Sequence, residues 1–304
     1  QNFNAMKWQG RRGSSNVEDR RGMSSGKRFA GGGIGLIVIA LIVWLLGGNP
    51  LSVLDQTGGG TTEQYTPTAE EDEMAQFVSV VLADTEEIWG NIFQQSGMTY
   101  RQPKLVLFRD QVQSACGYAT AASGPFYCPS DEKVYIDLSF CDDLQQKYGA
   151  YGDFAIAYVI AHEVGHHVQN LLGILGEVHQ QRSGRSETRA NQLTVRLELQ
   201  ADFLSGMWAH YAHKKLNILE AGDIEEAMNA AAAVGDDNLQ MKYQGRIVPD
   251  AFTHGTSAQR KEWFRKFRDA KPILNGHKNA DYPRYCDLCA TIIAGNETIA
   301  PVEH

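Results

Sequence analysis

Residues 161–170, AHEVGHHVQN, constrain this 304-residue chain more than any other stretch. They close an apolar run, FAIAYVIA (154–161), that reads as the lead-in of a buried helix. An α-helix turns about 100° per residue, so His162 and His166, four apart, stand on one face a turn apart. A buried His–Glu–His cluster is costly unless something satisfies it. Two imidazoles so placed can reach one metal ion, and Zn²⁺ takes nitrogen ligands at about 2.0–2.1 Å. Glu163 lies to the side of the pair, where it can take a proton from a metal-activated water without ligating. This is the H-E-x-x-H arrangement of zinc peptidases.

A catalytic zinc needs a third protein ligand and an open position, and His₂Glu is one recognised set. Residues 195–204, VRLELQADFL, lie within a helical stretch running from about Ser186 to about Lys214. Glu198 and Asp202 share a face there, amid apolar Leu197, Leu199, Ala201, Phe203 and Leu204. A carboxylate pair so flanked needs a partner. Glu198 is the expected third ligand. Asp202 is placed to accept the other ring N–H of a ligating histidine and so fix its tautomer.

The combination of HEVGHH, LELQADF and the N-terminal WQGRR…NVEDRR resembles the YpfJ-like family of neutral zinc metallopeptidases, over nearly the whole chain from Met6. That family resembles the gluzincins, whose third zinc ligand is a helix-borne Glu with a supporting Asp four residues on. The resemblance implies His162, His166 and Glu198 as ligands of one catalytic Zn²⁺ and Glu163 as the catalytic base. Phe203 stands where many relatives carry Cys, outside the ligand positions. Residues 254–260, HGTSAQR, are similar to the H-P-x-x-x-x-R motif of prenyl-protein-processing zinc proteases, with Gly255 in place of Pro. There the pair steadies the oxyanion, which implies that role for His254 and Arg260. The alternative is a surface His and an Arg on a solvated helix face.

A net charge of −8 argues against a general nucleic-acid binder, and 43% hydrophobic residues support a real core. Residues 1–5 precede a candidate initiator, Met6, and read as a cloning remnant. Residues 7–28 are basic and show no apolar periodicity, so 1–29 is expected to be a disordered cytoplasmic tail. Residues 30–48, AGGGIGLIVIALIVWLLGG, carry no charge and approach the ~20 residues that cross a bilayer. Positive residues crowd their N-terminal side, while none follows until Arg101. The expectation is a single-pass, uncleaved transmembrane helix in a bacterial inner membrane, with the catalytic domain periplasmic or extracellular.

Residues 49–69 read as a flexible linker and 70–304 as the catalytic domain. A helix is expected over about 70–95, opened by the acidic run EEDE. KLVLF (104–108) reads as a short buried strand, and 114–138 as strand, turn and a hairpin with its tip at PSDEK. By resemblance, part of 117–137 is an edge strand to which an extended substrate adds. His167, turned about 100° from His166, is expected either to support the metal ligands from behind or to be structural, and His179, His210, His213 and His277 to be surface or cap residues. Of the five cysteines, Cys116–Cys128 is the first expected disulfide and Cys286–Cys289 a weaker one, though connectivity does not follow from sequence.

The expected fold is thus α+β, mainly α: a zincin-like metalloprotease domain with a small sheet, preceded by one N-terminal transmembrane helix. The expected function is a membrane-anchored zinc endopeptidase acting on peptide or unfolded protein. Two rivals stand beside it: a catalytically silent zinc-containing scaffold, and a zinc hydrolase of non-peptide amides.

Overall fold

The computed structural model of the protein describes residues 6–22, 65–120 and 123–269. Its centre is helix α3 (Asp153–Leu171), buried along most of its length. Helix α1 (Ala69–Gln95) opens on a capping box, in which the Thr68 hydroxyl accepts from Glu71 N and the Glu71 side chain accepts from Thr68 N. Its apolar side, including Phe77, Val81, Ile88, Trp89 and Phe93, is sealed in the main core with α3.

The main sheet has the order β1 (Val17–Asp19), β2 (Lys104–Phe108), β6 (Lys133–Asp137), β5 (Phe126–Cys128). β1 and β6 run parallel to β2, while β5 pairs antiparallel with β6. Strand side chains alternate between faces. Leu105 and Leu107 therefore enter the main core, whereas Val106 and Phe108 join Tyr135, Val112 and Cys128 in a second small cluster. This explains why KLVLF is apolar throughout. A separate hairpin, β3 (Gln111–Ser114) and β4 (Gly117–Thr120), is tied to β5 by the disulfide Cys116–Cys128. Cys141 is a buried free thiol, and Cys286 and Cys289 lie outside the described residues.

After α2 (Leu138–Gln146) come α4 (Ile174–Arg182), α5 (Glu187–Leu216) and α6 (Asp223–Ala233), which pack on α3, then α7 (Asp236–Gln244) and α8 (Ser257–Asp269), which pack on one another and on α6. Two close backbone approaches fix the geometry. A Cβ at Gly165 would stand 3.2 Å from Ala201 O, so α3 lies directly against α5. A Cβ at Gly206 would stand 2.1 Å from Phe264 O, so α8 lies still closer against α5. Larger residues at either point would push the helices apart.

Residues 6–22 overturn the expectation of a disordered tail. Met6 is 2% exposed, and Trp8 packs edge-on against Phe77 at 5.6 Å between ring centroids. Arg11 makes a two-pronged ion pair with Asp84, 2.6 Å at each prong. Arg21 joins Asp19 and Asp72, and Ser14 donates to Glu86. The basic run is thus a set of partners for the acidic face of α1. Only two large apolar residues and a three-residue strand anchor it, too few to show as periodicity.

The transmembrane expectation is corrected by the same finding. Among the described residues no helix is long and apolar enough to cross a membrane, and residues 30–48 lie outside the described residues. A single crossing there would leave residues 6–22 and 65–269 on opposite sides of the bilayer. Yet Val17, Glu18 and Asp19 pair with Leu105, Val106 and Leu107 in one sheet. The single-pass inner-membrane arrangement is therefore withdrawn. The architecture is a mainly helical α+β domain with a small sheet.

Candidate metal centre

The two approaches at Gly165 and Gly206 bring three helices to one point. With α3 against α5, ligand atoms of His162, His166 and Glu198 fall within 4.8 Å of one another. His162 Nε2 is 3.2 Å from Glu198 Oε2, and His166 Nε2 is 3.4 Å from Glu198 Oε1. All three line a cavity of about 1080 Å³, together with Glu163, His254 and Arg260.

Each imidazole is held from behind. The Asp202 carboxylate accepts from His162 Nδ1 at 2.8 Å, and Gln169 Oε1 accepts from His166 Nδ1 at 2.8 Å. The orientation of the Gln169 amide is set by its nitrogen, which donates to Leu197 O and Gln200 Oε1. Nδ1 of each histidine is therefore committed as a donor to its backing group, which leaves Nε2 as the ring atom that faces Glu198. Gln169 was not singled out from the sequence. It lies three residues past His166, so helical periodicity alone places it on the same face.

Asp202 is 0% exposed and collects donors from two other helices, α3 and α8. Arg260, 3% exposed, gives it two bonds, Nε to Oδ2 at 2.9 Å and an Nη to Oδ1 at 3.0 Å. Tyr158 donates its hydroxyl at 2.5 Å and receives a bond from Arg260 at 3.2 Å. Arg260 precedes Phe264 by one turn, and Asp202 precedes Gly206 by one turn, so the Gly206 approach delivers this pair. Burial would raise the Asp202 carboxyl, but Arg260 and His162 bring it down to about 2. Burial presses the His162 imidazole down, yet Asp202 and Glu198 outweigh it and hold it up at about 9. Burial likewise raises Glu198, and the two imidazoles carry it well below the usual carboxylate range. The cluster favours positive charge at its centre.

His254 and Arg260 both reach the cavity, but they differ in what they face. The Arg260 guanidinium is turned to Asp202, behind His162, whereas the motif resemblance implies an oxyanion donor. The His254 side chain is 48% exposed, with Nδ1 3.2 Å from Asp236 Oδ1. The Asp236 bond raises its pKa against the effect of burial. Asp236 also accepts from the backbone N–H of Thr253, His254 and Gly255, so it shapes the whole turn.

His167 is structural: its Nε2 donates to Arg101 O at 2.6 Å and its Nδ1 accepts from the Tyr127 hydroxyl at 3.0 Å. This ties β5 to α3. Within the described sheet β5 is an edge, and its Phe126 and Tyr127 line the cavity. His179 and Arg182 of α4 line it too, although His179 reads from sequence as a surface residue.

The residues fit a zinc ion by the chemistry of the donor set. Two imidazole nitrogens and one carboxylate converge, each imidazole backed by a fixed acceptor, as borderline-soft Zn²⁺ prefers. A helix-borne His–Glu–x–x–His face is thus joined by a glutamate from a second helix. The chain belongs to the family described as "Putative neutral zinc metallopeptidase", whose profile matches residues 6–273. It is 49% identical over 277 residues to the "Uncharacterized protein YpfJ" of Escherichia coli (strain K12), covering 87% of this chain and 96% of that one. It is also 42% identical over 198 residues to the "Uncharacterized protein Rv2575" of Mycobacterium tuberculosis (strain ATCC 25618 / H37Rv), covering 62% of each chain. No solved structure matches.

Proposed function

We propose that the protein is a zinc-dependent endopeptidase. The observation that carries this reading is the convergence of His162, His166 and Glu198, with both Nδ1–H groups engaged behind them and Glu163 on the same cavity wall. The two histidines and Glu198 hold the ion. When bound, zinc polarises the scissile carbonyl and acidifies the attacking water.

The chain's own residues do the rest. Glu163 takes the water's proton on a carboxylate oxygen and hands it to the leaving amine. His254, made more basic by Asp236, presents a charged N–H to the developing oxyanion. Arg260 acts at one remove, keeping Asp202 ionised so that His162 stays in its ligating tautomer. The edge strand β5 offers unpaired backbone groups to an extended substrate, held in place by the Cys116–Cys128 disulfide and by Tyr127. A strand-lined cavity favours peptide over a small amide, which sets this reading above the non-peptide rival. Unfolded protein is the expected substrate class.

The test compares the wild type with Glu163→Gln and Glu198→Ala, measuring bound zinc and cleavage of casein. Glu163→Gln is expected to keep its zinc and lose about 10²–10⁴-fold in rate. Glu198→Ala is expected to lose zinc as well. Full cleavage by zinc-loaded Glu163→Gln would sink the assignment. A wild type that binds zinc and cleaves nothing would favour the scaffold.

A further inference from the structure

The N-terminal end of α3 holds a second cluster that the zinc reading does not use. Ligand oxygens of Asp153, Asp223 and Glu226 lie within 4.8 Å of one another, 70 residues apart in sequence and brought together by the packing of α6 on α3. We infer that these three carboxylates form a second cation site, one that takes a hard divalent ion of the calcium type.

The bland alternative is that they are helix caps. Each does accept one main-chain N–H: Asp153 Oδ1 from Met6 N at 3.1 Å, Asp223 Oδ2 from Glu220 N at 2.9 Å, and Glu226 Oε2 from Phe154 N at 3.1 Å. Capping uses only one oxygen of each. Asp223 is 0% exposed, yet its Oδ1 has no hydrogen-bond partner, and the buried Oδ2 of Asp153 has none either. Burying an unpaired carboxylate oxygen costs far more than a cap returns. Among the described residues no Lys, Arg or His is ion-paired with any of the three, and nearby Lys7 reaches Glu220 instead, at 3.9 Å.

The surrounding backbone is shaped to the group. Gly152 has φ +102°, and a Cβ on it would stand 1.9 Å from Glu226 Cδ, so only glycine admits the carboxylate here. Burial and mutual repulsion raise Asp223 to about 6 and Glu226 to about 7, with Asp153 raised as well. An unneutralised excess of negative charge has that signature. The donor set is all oxygen, which suits Ca²⁺, with bonds of about 2.3–2.6 Å and flexible geometry. Two oxygens on one such ion stand at most about 5 Å apart, in line with the observed clustering. The bound ion would clamp Met6, the start of α3 and the start of α6 together, steadying the helix that carries His162 and His166.

The test uses the zinc-loaded full chain in calcium-free buffer, titrated with CaCl₂ by calorimetry and followed by thermal melting. One site is expected, with a rise in Tm of about 5 °C at a hundredfold excess over Kd. Asp223→Asn and Glu226→Gln should lose that response while melting no lower than the wild type without calcium, because each removes a repelling charge. No heat and no shift with CaCl₂, or an equal response in both variants, would overturn the site. A response to MgCl₂ alone would overturn the calcium assignment. A shortened chain beginning at Met6, whose ammonium would stand at the same nitrogen, that melts higher and ignores calcium would overturn the metal altogether.

Discussion

The two ends of α3 solve the same problem in opposite ways. Near its C-terminal half, Asp202 is wholly buried, and the chain surrounds it with Arg260, Tyr158 and His162. At its N-terminus, Asp153, Asp223 and Glu226 are gathered with main-chain N–H groups alone, and two buried oxygens are left over. A buried charge persists only when paired, protonated or bound to an ion. The first region has its counter-charge built in, which frees the imidazole Nε2 atoms and Glu198 for an ion. The second has none and must import one. The contrast teaches that a carboxylate count says little about a site; the inventory of donors around each oxygen decides what the site asks for.

The largest effect that could break this comparison is removal of the built-in cation. Arg260→Met leaves the buried Asp202 carboxylate without its guanidinium, at a cost of about 3–5 kcal/mol. Tm should fall by about 10 °C, and zinc affinity should fall with it as Asp202, the acceptor behind His162, loses the group that holds it. An oxyanion donor would behave otherwise: zinc content and Tm would hold while kcat alone collapsed. That outcome, read from zinc-saturated enzyme, would return Arg260 to the role the motif resemblance implies.

A smaller change sharpens the picture on the other imidazole. Gln169→Leu removes the acceptor of His166 Nδ1–H and should weaken zinc binding by about 10–100-fold. Gln169→Glu keeps an acceptor oxygen and should retain most of the affinity, although it gives up the bonds to Leu197 O and Gln200. Competition with a chromophoric chelator measures both. Equal affinity in all three proteins would show that His166 needs no help.

What was legible in the sequence follows from what helical periodicity can carry. His162, His166, Glu198 and Asp202 are pairs four apart, so each pair had to share a face, and the acidic run at Glu70–Glu73 announced the start of α1. Tyr158 and Gln169 obey the same spacing, one turn before His162 and just short of one after His166, and were open to the same argument. The expected pair Cys116–Cys128 likewise closed, between the β3–β4 turn and the end of β5. The acid cluster was not legible, because α3 and α6 meet only through tertiary packing. Nor was the fate of residues 6–22: their arginines read as a solvated run until Asp84, Asp72 and Asp19 appear opposite them. That one misreading carried the membrane topology with it, since a tail that folds onto the domain cannot lie across a bilayer from it.

The smallest expected effect concerns pH, and it bears on the unpartnered end of α3. Asp223 and Glu226 sit at about 6 and about 7, raised by burial and by neighbouring carboxylates, Asp153 among them, whereas the unfolded chain titrates them near ~4. The folded protein therefore holds these protons more tightly than the unfolded one. Stability from the cluster is full below about pH 4 and is lost as pH rises through about 6 to 7. The groups facing the cluster, Asp153 on α3 and Glu220 before α6, are acidic and reinforce the trend; Lys7 is committed to Glu220 and offsets it only in part. In calcium-free buffer the wild type should lose Tm between about pH 5 and pH 8 relative to an Asp223→Asn/Glu226→Gln double variant, which carries no such protons. Calcium should flatten the difference, because a bound dication replaces the protons it displaces. A difference that is flat without calcium would mean that all three carboxylates are already matched in charge, and the two ends of the helix would then be alike.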